Sequence, residues 1–238
     1  MQPQKASGSV RNWHSLKQIF KELRQTINYN FSSTDKNQLA ITLTYAENMQ
    51  DSNRLYLDFK KFMMRLKHSY PEHNFEYIVI VEPQGRGAWH CHMLLKTTNQ
   101  KELYIPDNDI ARIWGHGFTK TERLKNVDQY GAYFVAYLTN AEVTPEREKE
   151  LEIEANDIEI KNGKKVIKGE RLKWYPEYMQ IWRHSRGIEK APQETIDIGT
   201  ENGYNMPDLK LGVKIYENEK EIETDKRALK IITQQYKK

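Results

Sequence analysis

The run EYIVIVEPQGRGAWHCHMLLK, residues 76–96, limits the fold more than any other part of the chain. Two β-branched, apolar stretches, 76–82 and 89–96, flank PQGRGA, a short turn segment carrying Gly85 and Gly87. Strands joined this closely form an antiparallel hairpin, because a parallel pair needs a crossover of a dozen or more residues. Side chains alternate faces along a strand, so His90 and His92 project one way and Cys91 the other. With the turn at 83–88, Glu82 comes beside the histidines, and a slip of one residue would turn it to the wrong face.

The elements around the hairpin follow from their periodicities. Leu16, Ile19, Phe20, Leu23 and Ile27 recur at helical spacing and predict an amphipathic helix over 14–28. LAITLTY predicts a buried strand at 39–45, and Leu55, Leu57, Phe59, Phe62, Met63 and Leu66 predict a helix over 52–68. A helix at 107–114, a short strand in GFTKTERL and a helix at 127–139, with Asn126 as its cap and Gln129 as the cap's partner, complete the first part. Past residue 140, Thr144-Pro145-Glu146 starts a short charged helix, IEIKNGKKVIK is a hairpin about Asn162-Gly163, and LGVKIYE is a strand candidate before a mixed tail. The expected fold is α+β: an antiparallel sheet of about five strands flanked by helices over residues 10–140, with an α/β C-terminal extension at 141–238 packed on that core and contributing to nucleic-acid binding.

Charge is organised in blocks. The 37 basic and 33 acidic residues leave a net charge of +4. Residues 141–159 carry eight acids against Arg147 and Lys149, and residues 160–190 carry nine bases, Arg171, Lys173, Arg183 and Arg186 among them, against Glu170, Glu177 and Glu189. The basic block contains Trp174, Tyr175, Tyr178 and Trp182. That mixture suits either a phosphate-tracking surface with stacking platforms or a solvated face over buried aromatics. No run approaches the length of a membrane span, the first residues lack an apolar signal core, and a single cysteine, Cys91, makes no intramolecular disulfide; the expected compartment is the cytoplasm.

Two groups of residues carry chemistry. Glu82, His90 and His92 offer one carboxylate oxygen and two imidazole nitrogens, a partial ligand set for a divalent ion with positions left open. The same His-x-His pattern also fits two partly exposed histidines with no ligand. Tyr133 and Tyr137 lie four apart on the predicted helix, with Tyr130 on the same stripe, a spacing that serves packing as well as catalysis. A phenol has a pKa near 10 and attacks phosphorus at neutral pH only where a cation or base favours the phenolate. A metal held by the first group and a nucleophile from the second therefore explain each other.

These residues occur in an order that resembles the HUH endonuclease superfamily, specifically the replication-associated proteins of rolling-circle plasmids and phages. ITLTY (41–45) resembles the first family motif, EPQGRGAWHCHMLL (82–95) the second, IWGHGFTK (113–120) the segment between motifs, and AYFVAYLTN (132–140) the tyrosine motif. The likeness covers roughly residues 37–140, and GERLKWYPEYMQIWRHSRGI (169–188) looks like the segment after the core. The chain departs from the family's Y-V-A-K-Y-L-T-K pattern at Ala136 and Asn140, where lysines are expected; Lys120, Lys125 and Arg86 are the candidates for that role.

The resemblance implies a metal-dependent nick in single-stranded or stem-loop origin DNA, with Tyr133 attacking first and Tyr137 as helper or second nucleophile. The product is a 5′-phosphotyrosine link and a free 3′-hydroxyl, and the reverse reaction rejoins the strand. Glu82, His90 and His92 are the implied ligands of Mn²⁺ or Mg²⁺, and Arg86, Lys120, Arg171, Lys173, Arg183 and Arg186 the candidate DNA contacts. No P-loop is present, so a host helicase and DNA polymerase are the implied partners. Two other readings stay open: a non-catalytic single-stranded nucleic-acid-binding module, and an HUH nuclease serving transposition or mobilisation.

Overall fold

A computed structural model of the chain describes residues 13–84, 86–124, 127, 141–142, 158–161, 164–167, 170–177, 179–192, 213–224 and 227–237. The expected helix at 127–139 beyond Val127, the charged helix at 144, and Gly85, Lys125, Asn126, Asn162, Gly163 and Tyr178 lie outside the described residues.

The elements run α1 (Trp13–Asn30), β1 (Gln38–Thr44), α2 (Ser52–Ser69), β2 (Phe75–Pro83), β3 (Trp89–Thr97), α3 (Asp107–Trp114) and β4 (Thr119–Arg123), close to the sequence expectation. They continue with β5 (Ala141–Glu142), β6 (Ile158–Lys161), β7 (Lys164–Ile167), a 3-10 turn (Glu170–Trp174), β8 (Trp182–His184), β9 (Val213–Thr224) and β10 (Arg227–Lys237). One five-stranded sheet has the order β4-β1-β3-β2-β8, and every pairing in it is antiparallel. The fold is therefore α+β, as expected. Its fifth strand, however, is β8, supplied from beyond residue 140, with Ile78 opposite His184 and Ile80 opposite Trp182. Separate small sheets are made by β5, β7 and β6 and by the β9–β10 hairpin, which the sequence reading takes as one strand and a mixed tail.

Each face of the main sheet buries a different set of helices. Leu39, Ile41, Leu43, Val79, Val81, Cys91, Met93 and Leu95 pack under Leu55, Phe59, Phe62, Met63 and Leu66 of α2 and Ile110, Ile113 and Trp114 of α3. On the other face Ala40, Ile78, Ile80 and Leu94 meet Phe20, Leu23 and Ile27 of α1, together with Leu124 and Val127. Burying each such side chain contributes roughly 1.5–3 kcal/mol, so the two-sided core explains why the central strands read as nearly continuous apolar runs. Asp51 starts α2 by accepting bonds from the backbone N–H groups of Asn53 (2.8 Å) and Arg54 (3.2 Å).

The segment after α3 returns along β1. The N–H of Thr44 donates to Phe118 O and that of Ala46 to His116 O, while the Trp114 indole N–H donates to Thr44 O. Gly117 permits this approach, because a Cβ there would lie 2.5 Å from Ala46 N and 2.6 Å from Thr44 O. The close fit delivers β4 to the edge of the sheet beside β1.

Candidate functional site

Register determines the site. His90 stands opposite Glu82 on β2 and Thr44 on β1, and His92 stands opposite Ile80 and Thr42. Residues directly opposite one another share a face, so Glu82, His90, His92, Thr42 and Thr44 all project to the side covered by α1. Cys91 points into the opposite core, between Leu43 and Val81.

The closest polar contact is diagonal: Nε2 of His92 lies 3.0 Å from Oε2 of Glu82. A carboxylate only accepts, so the imidazole carries its proton on Nε2 and leaves Nδ1, 3.4 Å from Thr42 Oγ1, to accept from the hydroxyl. The other carboxylate oxygen, Oε1, forms an ion pair with a terminal guanidinium nitrogen of Arg171. Glu82 is only 8% exposed, and the guanidinium supplies the countercharge that a buried carboxylate needs. His90 shares the face, its ring centroid 6.2 Å from that of His92, with no contact to Glu82 comparable to that of His92. Among the described residues no three His, Cys, Asp or Glu side chains converge closely enough to hold a metal ion.

Burial governs the protonation of both rings. Desolvation lowers the His90 pKa to about 4, helped by the neighbouring His92 and Arg86, and burial takes His92 to about 4 as well. The Glu82 carboxylate pulls the other way on His92, but Arg171 already answers its charge. At neutral pH both imidazoles are therefore uncharged and each keeps a lone pair. By donor chemistry the set fits a divalent ion of the Mn²⁺ or Mg²⁺ class, with Glu82 and His92 in contact and His90 beside them. Such an ion would replace the proton that Glu82 and His92 share and take over the oxygen that Arg171 now engages.

The 3-10 turn bearing Arg171 is anchored by its neighbours. The Tyr175 hydroxyl donates to Val81 O at 3.0 Å, and its ring lies edge-on to Trp89 at 5.4 Å. Trp174 rests on Gly87, where φ is +88° and a Cβ would come 2.7 Å from the indole; only glycine suits both demands. Leu172 joins the α1-side cluster and Met179 the other. Trp182 is half-buried and stacks on His184, with centroids 5.5 Å apart. Trp174, Tyr175 and Trp182 thus pack against protein, in line with the solvated-face reading of the basic block.

The candidate cations separate accordingly. Arg171 is in the site. Lys120, opposite Thr42 and hence on the His92 face one strand further out, pairs with Glu122 at 2.8 Å. Arg86 lies in the turn, its Nε donating to Gln84 Oε1 at 3.1 Å. Arg183 is on the opposite face, its guanidinium 3.5 Å from the centroid of the Tyr56 ring. Lys173 lies over Trp174, and Arg186 is exposed in the turn after β8. Tyr130, Tyr133, Tyr137, Ala136 and Asn140 lie outside the described residues; Leu124 and Val127, at the start of that segment, are buried on the His92 face. Sequence reasoning assigned no role to Thr42, although its place as a polar residue alternating with Ile41 and Leu43 in a buried strand marks the functional face.

No helix among the described residues is long and apolar enough to cross a membrane. No curated protein and no solved structure matches the chain. Residues 38–142, which span the strands and helices that build this site, match the family model of the replication-associated protein ORF2 group, and over that segment the chain belongs to the replication-associated proteins.

Proposed function

We propose that the chain initiates rolling-circle replication by nicking single-stranded or stem-loop origin DNA through tyrosine transesterification. The observation that carries this reading is the 3.0 Å contact of Glu82 with His92 on the face where Leu124 and Val127 begin the tyrosine-bearing segment. Membership of the matched segment in a replication-associated family supports DNA as the substrate.

In this mechanism Glu82, His92 and His90 hold the divalent ion, which when bound polarises the scissile phosphate and stabilises charge on the attacking and leaving oxygens. Tyr133 is the nucleophile: its phenolic oxygen bonds to phosphorus, the bond from phosphorus to the 3′-oxygen breaks, and the leaving oxygen takes up a proton. One phosphoester is exchanged for another, so the step is reversible and the strand can be rejoined. Tyr137 serves a second attack at termination. Lys120, on the metal-ligand face, and Arg171 supply positive charge near the phosphate in place of the lysines replaced by Ala136 and Asn140. Extension of the 3′-hydroxyl falls to a host polymerase with a helicase.

The test is a denaturing gel of the chain incubated with Mn²⁺ and single-stranded origin oligonucleotides. A covalent protein–DNA band is expected, lost in the Tyr133→Phe/Tyr137→Phe double variant with DNA binding retained. A band that persists in the double variant moves the nucleophile elsewhere. DNA binding with no band under any metal favours the non-catalytic binding module, for which the pairing of Glu82 with Arg171 speaks.

A further inference from the structure

We propose that Arg171 is an internal stand-in for the divalent ion, holding the Glu82 carboxylate in the metal-free protein and leaving it when the ion binds, so that its guanidinium becomes available to the DNA phosphate. The inference rests on the metal-dependent reading above and deepens it.

Three observations carry it. Arg171 occupies Oε1 of the same carboxylate whose Oε2 meets His92, so the guanidinium sits on a ligand atom, not beside one. One buried carboxylate cannot balance a guanidinium and a divalent ion together; both cations in a dry pocket leave excess positive charge and repel. The guanidinium is also incompletely satisfied, because its Nε is buried with no hydrogen-bond partner among the described residues. An arginine dedicated to a structural pair uses its fork in a bidentate contact; one with an orphaned donor is suited to a second anion, and the planar fork matches phosphate.

The anchoring of the turn makes the exchange mechanically simple. Tyr175 on Val81, Trp174 on Gly87 and Leu172 in the α1-side cluster hold the backbone on either side of Arg171 independently of its charge. The side chain can leave Glu82 without the extension leaving the core. Ion binding and phosphate binding are then coupled: each removes a cost that the other would meet alone.

Mn²⁺ titration of the full chain by calorimetry, wild type against Arg171→Met, tests the exchange. The variant is expected to bind Mn²⁺ about tenfold or more tightly, since no internal cation competes for Glu82. Equal or weaker binding by a folded variant overturns the proposal and leaves the metal site standing. Absence of Mn²⁺ binding by both folded proteins removes the metal reading and the proposal with it. Should Arg171→Met not fold, hydrogen exchange of the wild type decides: Mn²⁺ should speed exchange at residues 170–175, and unchanged exchange with the ion bound overturns the proposal.

Discussion

Glu82 and His92 meet diagonally across β2 and β3, with 3.0 Å between Oε2 and Nε2, although the residue directly opposite Glu82 in the ladder is His90. The carboxylate therefore leans along the strand toward the more enclosed imidazole, where Thr42 fixes the ring from the other side. Glu82→Gln and His92→Ala should each weaken Mn²⁺ binding and Mn²⁺-dependent cleavage by roughly 100-fold or more, beyond the 10–100-fold typical of residues that only support a ligand. His90→Ala should weaken both as well. Titration calorimetry and a cleavage assay on the same preparations check this; a His92→Ala protein that binds Mn²⁺ like wild type takes His92 out of the site.

Gly87 joins the hairpin turn to the C-terminal extension. An alanine there must accept a φ of +88° and push its Cβ into Trp174 and Gln50, which lie 2.7 and 2.9 Å from it. Backbone strain of this kind costs roughly 1–3 kcal/mol, and the contact with Trp174 adds to it. Gly87→Ala should lower stability in urea unfolding by at least that amount and weaken DNA cleavage, because the displaced turn carries Arg171. Unchanged unfolding would mean that Trp174 does not rest on this turn.

Cys91 reports the register directly. It is 1% exposed between His90 and His92, and burial raises its thiol pKa, so the native thiol has neither access nor thiolate character. Its reaction with a thiol reagent at pH 8 should be at least about 100-fold slower in native buffer than in urea. Rapid native labelling would signal a strand slipped by one residue, which would also turn both histidines into the α2-side core.

The hairpin and its chemistry were legible in the sequence for a local reason: a period of two, a glycine-bearing turn and the His-Cys-His order leave one arrangement of Glu82, His90 and His92 on a face. The α1, α2 and α3 helices were legible from apolar spacing, within a residue or two of their ends. Strand β8 was not, because three residues, Trp182–His184, form no recognisable run and extend only where the edge of β2 offers partners. Arg171 was visible as one of nine bases in its block, but composition does not say which guanidinium crosses the fold to reach a carboxylate 89 positions earlier. The aromatics of that block misled for a similar reason: Tyr175 and Trp182 have the composition of a stacking platform, and the apolar surface they cover is distant in sequence.

Protonation of the two imidazoles should set the acid limb of stability in the metal-free protein. Both pKa values are lowered by burial to about 4, against about 6.5 for a histidine in the unfolded chain. Between these values the unfolded state binds more protons than the folded state, so stability rises with pH; it is fully present above about 6.5 and is lost as the pH falls toward 4. The charged groups facing the rings are Glu82 from β2, Arg86 from the turn and Arg171 from the 3-10 turn, with Lys120 further out on β4. The two arginines oppose an added imidazolium and Glu82 is already paired, so nothing nearby compensates the new charge. Urea midpoints measured with a chelator should fall between pH 7 and pH 5 in wild type and fall distinctly less in a His90→Gln/His92→Gln variant. Parallel pH profiles for the two proteins would move the acid sensitivity away from this pair.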